Sequence, residues 1–332
     1  MKCVAVGDMM IPSVYFKEEL EKSQIIDEFT CKSWKEDYSK DEFREVIREI
    51  ETKGPEAFDP GEEITDLMKK ADVIFVHQCP VSKKVINEAK NLKYILSCRG
   101  GVENIDMEAA KEKGVKVINC PAHNAYAVAE YTIGMILNEL RNITRACMAL
   151  KSGEWREKYQ NSETLTEVRS QTIGIIGFGT IGRLVVERLK GFHPTILVND
   201  PFADEDKIRE EGCEPVTKEE LLKRSDVVTI HARINAGDPP IIGKEEFGQM
   251  KETAYLINTA RAVDMKELYH ALSEHKIMGA AIDVFPTEPV TKDEPLLKLD
   301  NITVTNHQGG ATVESYVKAP EMVLDMLKQT LE

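Results

Sequence analysis

An α/β protein with two doubly wound parallel sheets is predicted by the order of elements along this chain. Short apolar runs alternate with helical patterns through its 332 residues, as in sheets built from βαβ units. Four of these runs, at 3–6, 73–76, 94–97 and 116–119, precede a glycine-rich turn, which assigns them to a separate sheet. Six more, at 172–176, 195–198, 227–230, 254–258, 280–282 and 302–305, begin at that turn or follow it. A chain of this length exceeds one comfortable core, so two domains are expected.

Taken in order, MKCVAVGD reads as a first strand ending in a turn and not as a signal segment. Residues 17–60 are charged and lack β periodicity. Within them Ser39 and Glu42 form a capping box for a helix through about Thr52, stopped at Gly54-Pro55. Pro121 stops the fourth strand and marks a crossing between domains. Residues 125–150 are the most apolar long stretch. They contain Glu130, Asn138, Glu139, Arg141 and Arg145, and so read as one buried amphipathic helix and not a membrane span. A polar arm follows at 151–170. Residues 312–331 read as a final helix, with Val313, Val317, Met322, Val323 and Leu327 on its apolar side.

Composition narrows the partners. A net charge of −14 and a pI near 5.2 argue against nucleic acid or an anionic membrane surface. Seven cysteines, an odd number with no C-x-x-C pair, suit free thiols in a reducing cytoplasm. Cys98 and Cys120 read as small buried hydrophobes. No metal-ligand set is expected.

The stretch TIGIIGFGTIGRLVVERLKGFHPTILVND, residues 172–200, carries the most information. It is a βαβ unit with G-x-G-x-x-G in its first turn: Gly177, Phe178, Gly179, Thr180, Ile181, Gly182. Gly177 permits the tight turn, Gly179 lets backbone approach a pyrophosphate, and Gly182 lets helix and strand pack closely. The free N–H groups of the helix start then hold the phosphate charge. Asp200 lies 18 residues beyond Gly182, near the spacing of roughly 20 expected of a carboxylate that binds a ribose 2′-hydroxyl. The same carboxylate disfavours a 2′-phosphate by about 4 kcal/mol per charge pair at an effective dielectric near 20. Pro201, Phe202 and Ala203 bring no cation to offset it. The expected coenzyme is therefore NAD, bound in a Rossmann domain.

Three ionisable residues follow later strands. Arg261 ends the run after AYLINTA, Glu288 lies in AAIDVFPTEP, and His307 lies in ITVTNHQGGAT. Ligands of open α/β sheets bind outside the carboxyl ends of strands, so one crevice can receive all three. Arg261 offers a planar fork for a carboxylate and adjacent oxygen. His307 can give or take a hydroxyl proton during hydride transfer. Glu288 beside the imidazole favours its protonated form.

At these residues the chain resembles the D-isomer-specific 2-hydroxyacid dehydrogenase family, and it does so over nearly its full length. The likeness rests on LKYILSCRGGVENIDMEAAKEKGVKVINCP with NAYAVAE, on TIGIIGFGTIGR, on AYLINTARA, and on GAAIDVFPTEP with TNHQGGAT. It implies Arg261 as the substrate-binding arginine, Glu288 as the partner of the histidine, and His307 as acid/base. It implies that Asp283 touches the nicotinamide amide, and that Thr259, Ala260, His231 and Gly310 line the cofactor cleft. Backbone amides at Gly100 and Gly101 are expected to grip a substrate carboxylate, with Arg99 beside them either adding charge for a larger acid or forming only a salt bridge. His77 and Gln78 end a strand of the first domain and could face the substrate. The resemblance implies a flavodoxin-like substrate domain at 1–118, completed by 308–332, and an NAD domain at 119–307. It also implies a homodimer through the NAD domains, with the 125–150 helix and the arm around Trp155 contributing.

Some positions depart from the family pattern. Arg261-Ala262 stands for Arg-Gly, Asn306-His307 for Pro-His, and Ala232-Arg233 for a Pro-Leu stretch. The helix between Arg261 and Asp283 looks slightly shorter than in phosphoglycerate dehydrogenases, and the regulatory domain many of them carry is not expected here. None of these changes removes a catalytic atom; they leave the 2-hydroxy or 2-oxo acid unspecified. An NADH-sensing corepressor on the same scaffold is the competing reading.

Overall fold

In the computed structural model, which describes residues 1–232, 234 and 238–332, the chain divides into two units. One is Met1–Asn124 with Thr312–Glu332, and the other is Ala125–Ala311. The breaks fall a few residues from those expected at 118/119 and 307/308. Residues 120–124 stay with the first unit because the Cys120 amide donates to the Arg99 carbonyl and His123 Nδ1 to the Ser315 carbonyl. Residues 308–311 stay with the second because the Gln308 and Gly309 amides donate to Asp283. Arg233 lies outside the described residues.

The first unit holds five parallel strands: β1 (Lys2–Gly7), β2 (Glu28–Ser33), β3 (Val73–Val76), β4 (Tyr94–Ser97) and β5 (Lys116–Asn119). Their order is β2-β1-β3-β4-β5. Strands β1, β3 and β4 are buried on both faces and read as near-continuous apolar runs. The sequence reading missed β2. It lies at the sheet edge, no residue of EFTCKS is fully buried, and so it carries no apolar run. The capping box is present: the Glu42 amide donates to Ser39 Oγ, starting a helix Lys40–Lys53 that turns Phe43, Val46 and Ile50 inward. Gly54, at φ +75°, ends it. The C-terminal segment forms two helices instead of one, Val313–Val317 and Ala319–Leu331. Ala319, Val323 and Leu327 join Cys3, Phe16 and Leu96 in one core.

The second unit holds seven parallel strands. They are β6 (Thr172–Ile176), β7 (Thr195–Asn199), β8 (Glu214–Pro215), β9 (Val227–Ile230), β10 (Tyr255–Asn258), β11 (Gly279–Ile282) and β12 (Ile302–Val304). Their order, β12-β11-β10-β9-β6-β7-β8, reverses at β6, and ligands of such sheets bind at the carboxyl ends beside that reversal. The two-residue β8 was not expected. The single helix expected at 125–150 is broken into Ala125–Arg141 and Ile143–Lys151 at Asn142, whose φ is +54°. Asn138 Oδ1 accepts from the Thr144 amide and hydroxyl and so caps the second helix. The first helix is largely buried, whereas the second leaves Ile143, Met148 and Leu150 exposed. Among the described residues no helix is long and apolar enough to cross a membrane.

Candidate active site of the second unit

Beside the reversal in strand order, β6 runs into the glycine turn. Gly177 has φ +95°, and a Cβ there would lie 2.6 Å from the Ala232 amide nitrogen. A Cβ on Gly182 would strike the Gly177 carbonyl, so only glycine lets the helix Thr180–Leu189 seat against the turn. A Cβ on Gly179 would meet nothing within 4 Å. No protein neighbour requires glycine there, so the space it leaves open faces outward, where a pyrophosphate has to approach. Thr180 and Ile181 open the helix whose free amides favour that charge.

Asp200 follows β7 and folds back onto this turn. Its Oδ2 accepts from the Phe178 amide at 2.7 Å and its Oδ1 from the Phe202 amide at 2.9 Å. The carboxylate thus lies beside the glycine loop, as a ribose-binding acid must. Arg183 was not singled out in the sequence. Its Nε donates to the Phe178 carbonyl and its guanidinium lies 5.2 Å over the Phe178 ring, bracing the same turn. The only signal for it was its place one residue past the fingerprint.

His231 follows β9, with its amide bonded to the Ile176 carbonyl. Its Nε2 is 3.0 Å from Thr229 Oγ1, and Nδ1 is buried without a partner. Burial lowers its pKa to about 3, so the ring is neutral near pH 7 and is no proton donor there. Thr259 and Ala260 lie just past β10, where Asn258 Oδ1 accepts from the Ala260 amide.

The ends of β10, β11 and β12 bring Arg261, Glu288 and His307 together. Glu288 Oε2 accepts from His307 Nδ1 at 2.8 Å and lies 3.8 Å from the Arg261 guanidinium. Glu288 Oε1 accepts from the Phe285 amide at 2.8 Å, which fixes the carboxylate. With Nδ1 committed to Glu288, Nε2 is the imidazole nitrogen left for proton exchange. The side chains of His307 and Arg261 are 52% and 63% exposed, so both are open to a ligand. His307 has φ +57°, a region that costs a residue bearing a Cβ roughly 1–2 kcal/mol. Asp283, just past β11, is buried. Its carboxylate receives Thr305 Oγ1 and the Gln308 and Gly309 amides. Tyr131 lies next to Thr305. Neither Thr305 nor Tyr131 was expected in the site. Gly310 follows directly on this loop.

Residues 133–309 match the model of the NAD-binding domain of D-isomer specific 2-hydroxyacid dehydrogenases. The chain belongs to this family. It is 42% identical over 275 residues to D-3-phosphoglycerate dehydrogenase of Methanocaldococcus jannaschii, covering 81% of this chain and 52% of that protein. It is 36% identical over 259 residues to hydroxypyruvate reductase of Thermotoga maritima, covering 76% and 83%. The solved structure of D-2-hydroxyisocaproate dehydrogenase matches 100% of this chain and 97% of its own, with a TM-score of 0.75 and 25% identity. The chain spans about half the length of the phosphoglycerate dehydrogenases it matches, 52% and 50%. The family assigns NAD as the coenzyme of the second unit, and the open Gly179 and the placement of Asp200 fit it.

In the first unit, the expected substrate residues lie past β3 and β4. Arg99 turns inward: it donates to Gln78 Oε1 at 2.6 Å and pairs with Glu103 at 3.0 Å and Glu51 at 3.6 Å. Among the described residues the Gly100 and Gly101 amides donate to no other residue. His77 is tied to the buried Asp8 through Nδ1 at 3.0 Å, a pairing across 69 residues that the sequence did not announce.

Proposed function

We propose that this protein interconverts a D-2-hydroxy acid and its 2-oxo acid with NAD. The convergence of Arg261, Glu288 and His307 past β10, β11 and β12, strands of the sheet that carries the dinucleotide turn, carries this reading. NAD supplies the hydride acceptor, and NADH the donor in reverse. In oxidation, His307 Nε2 takes the hydroxyl proton of the substrate as C2 loses hydride; in reduction it returns that proton to the oxo oxygen. Glu288 holds the imidazole by Nδ1 and so aims Nε2 at the substrate. Arg261 presents its fork to the carboxylate and the reacting oxygen. In the first unit the Gly100 and Gly101 amides are the proposed carboxylate donors. Arg99 braces their loop, because its charge is already matched by Glu51 and Glu103.

The purified protein should consume NADH with at least one 2-oxo acid from a panel spanning apolar, phosphorylated and sugar-derived side groups. NADH-dependent binding of a partner protein, with no turnover across that panel, would overturn the enzyme in favour of the corepressor.

The second unit supports a homodimer. Tyr126, Ile143, Met148, Leu150 and Trp155 stand exposed on the paired helices and the arm, an apolar content that suits a partner surface better than water. Sedimentation at micromolar concentration should show a dimer, and Ile143→Asp with Trp155→Asp should yield a monomer. A wild-type monomer would refute this assembly.

A further inference from the structure

We propose that the first unit admits a 2-oxo acid with an uncharged, hydroxyl-bearing side group and turns away one that carries a phosphate. The proposal rests on the reading of Gly100 and Gly101 as carboxylate donors. Strands β3 and β4 are neighbours, with Val76 paired to Ser97, so Gln78 and Arg99 stand together beside those glycines. Arg99 is 9% exposed, and its guanidinium pairs with Glu103 at 3.0 Å and Glu51 at 3.6 Å. One cation thus faces two carboxylates. A Cβ on Gly101 would strike Glu103 Oε2, so this carboxylate lies against the glycine loop itself. A phosphate brought to the same loop meets like charge at short range. Neither nearby imidazole offsets the excess. His77 is matched by the buried carboxylate of Asp8, and burial holds the His123 pKa below its ordinary value. Gln78 supplies the attractive half. Its Oε1 accepts from Arg99 at 2.6 Å. Arginine has donors only, which fixes the NH2 end of the amide as the one left for a ligand. That Nε2 bonds none of the described residues and is not sealed from solvent. A hydroxyl accepts from an NH2 group and donates to a carboxylate oxygen, whereas a phosphate dianion only accepts. An amide donor set beside carboxylate acceptors is therefore complementary to a hydroxyl and not to a phosphate.

The test compares hydroxypyruvate with its 3-phosphate, which differs only by the phosphate, and with pyruvate, which lacks the hydroxyl. By NADH consumption, kcat/KM should be at least about tenfold higher for hydroxypyruvate than for either. Glu51→Gln with Glu103→Gln removes the excess negative charge and leaves Arg99 with oxygen acceptors. The preference for hydroxypyruvate over its phosphate should then fall by about tenfold, through a gain with the phosphate. Gln78→Met keeps the side-chain length without the NH2 group. It should bring hydroxypyruvate and pyruvate within about threefold of each other, whereas a merely structural loss lowers both alike. The wild-type ratios stand whether or not a variant folds. The proposal is overturned by a wild type that turns over the phosphate as well as hydroxypyruvate or better, and equally by a ratio that the two glutamate substitutions leave unmoved. If no 2-oxo acid is turned over, the dehydrogenase reading fails on its own account, and calorimetry on the NADH-loaded protein decides. Glycerate binding more tightly than 3-phosphoglycerate upholds the selection; the reverse, equal binding, or binding of neither overturns it.

Discussion

Replacing His307 by Ala should lower kcat by about a hundredfold to ten-thousandfold, the usual contribution of a positioned acid or base, while NADH still binds. The two halves of this expectation have separate physical origins. Turnover needs a group at the Nε2 position that can exchange a proton. Alanine supplies none. Coenzyme binding rests elsewhere in the unit, on the glycine turn and Asp200, about which His307 makes no hydrogen bond. The loop itself stays anchored, because the amides of residues 307, 308 and 309 bond Asp283 through backbone atoms that the substitution leaves in place. Stopped-flow turnover and NADH fluorescence titration on one preparation separate the two. Retained turnover would exclude the acid/base assignment, and loss of NADH binding alone would mean that the variant disturbed the unit and not the chemistry.

What could be read from the sequence was what local backbone demands of a residue type. Gly177 and Gly182 are visible because no other residue fits a left-handed turn and a helix pressed onto it. Ser39 and Glu42 are visible because a capping box is a contact across three residues. Strands buried on both faces announce themselves as apolar runs, whereas β2 at the edge, with EFTCKS only half covered, does not. The break at Asn142 escaped because an apolar pattern says nothing of a single left-handed residue. The pairing of His307 with Glu288, 19 residues apart, was expected from their places past strand ends and from the family resemblance, whereas that of His77 with Asp8, 69 residues apart, was not. Such long-range contacts follow from sheet order, which periodicity does not specify. The inward turn of Arg99 was hidden for the same reason: Gln78 and Glu51 reach it only through the fold.

Arg145→Ala should destabilise the protein by about 3–5 kcal/mol, the cost of leaving one member of a buried ion pair alone. Glu139 is fully buried on the helix Ala125–Arg141, and its Oε2 accepts from the Arg145 guanidinium at 2.8 Å. Thr303 and Asn138 donate to its other oxygen, so the pair ties both paired helices to β12. Burial holds the Glu139 carboxyl above the ordinary carboxylate range; Arg145 and the hydrogen bonds from Thr303 and Asn138 pull it part of the way back. The sign of the pH dependence follows. A carboxyl raised in the folded state binds more protons folded than unfolded, so its contribution to stability falls as pH rises from the unfolded value through the folded one. Without Arg145 the folded value rises further and that window widens. The deficit of the variant should therefore be small near pH 4–5 and grow toward pH 8. Urea denaturation at both ends of that range measures it. A deficit that does not change with pH would show that the loss is one of packing and not of charge. Glu139→Gln combined with Arg145→Met, which removes both charges and keeps the volume, should recover most of the stability at high pH, because a neutral amide can still accept from Thr303 and no longer requires a cation.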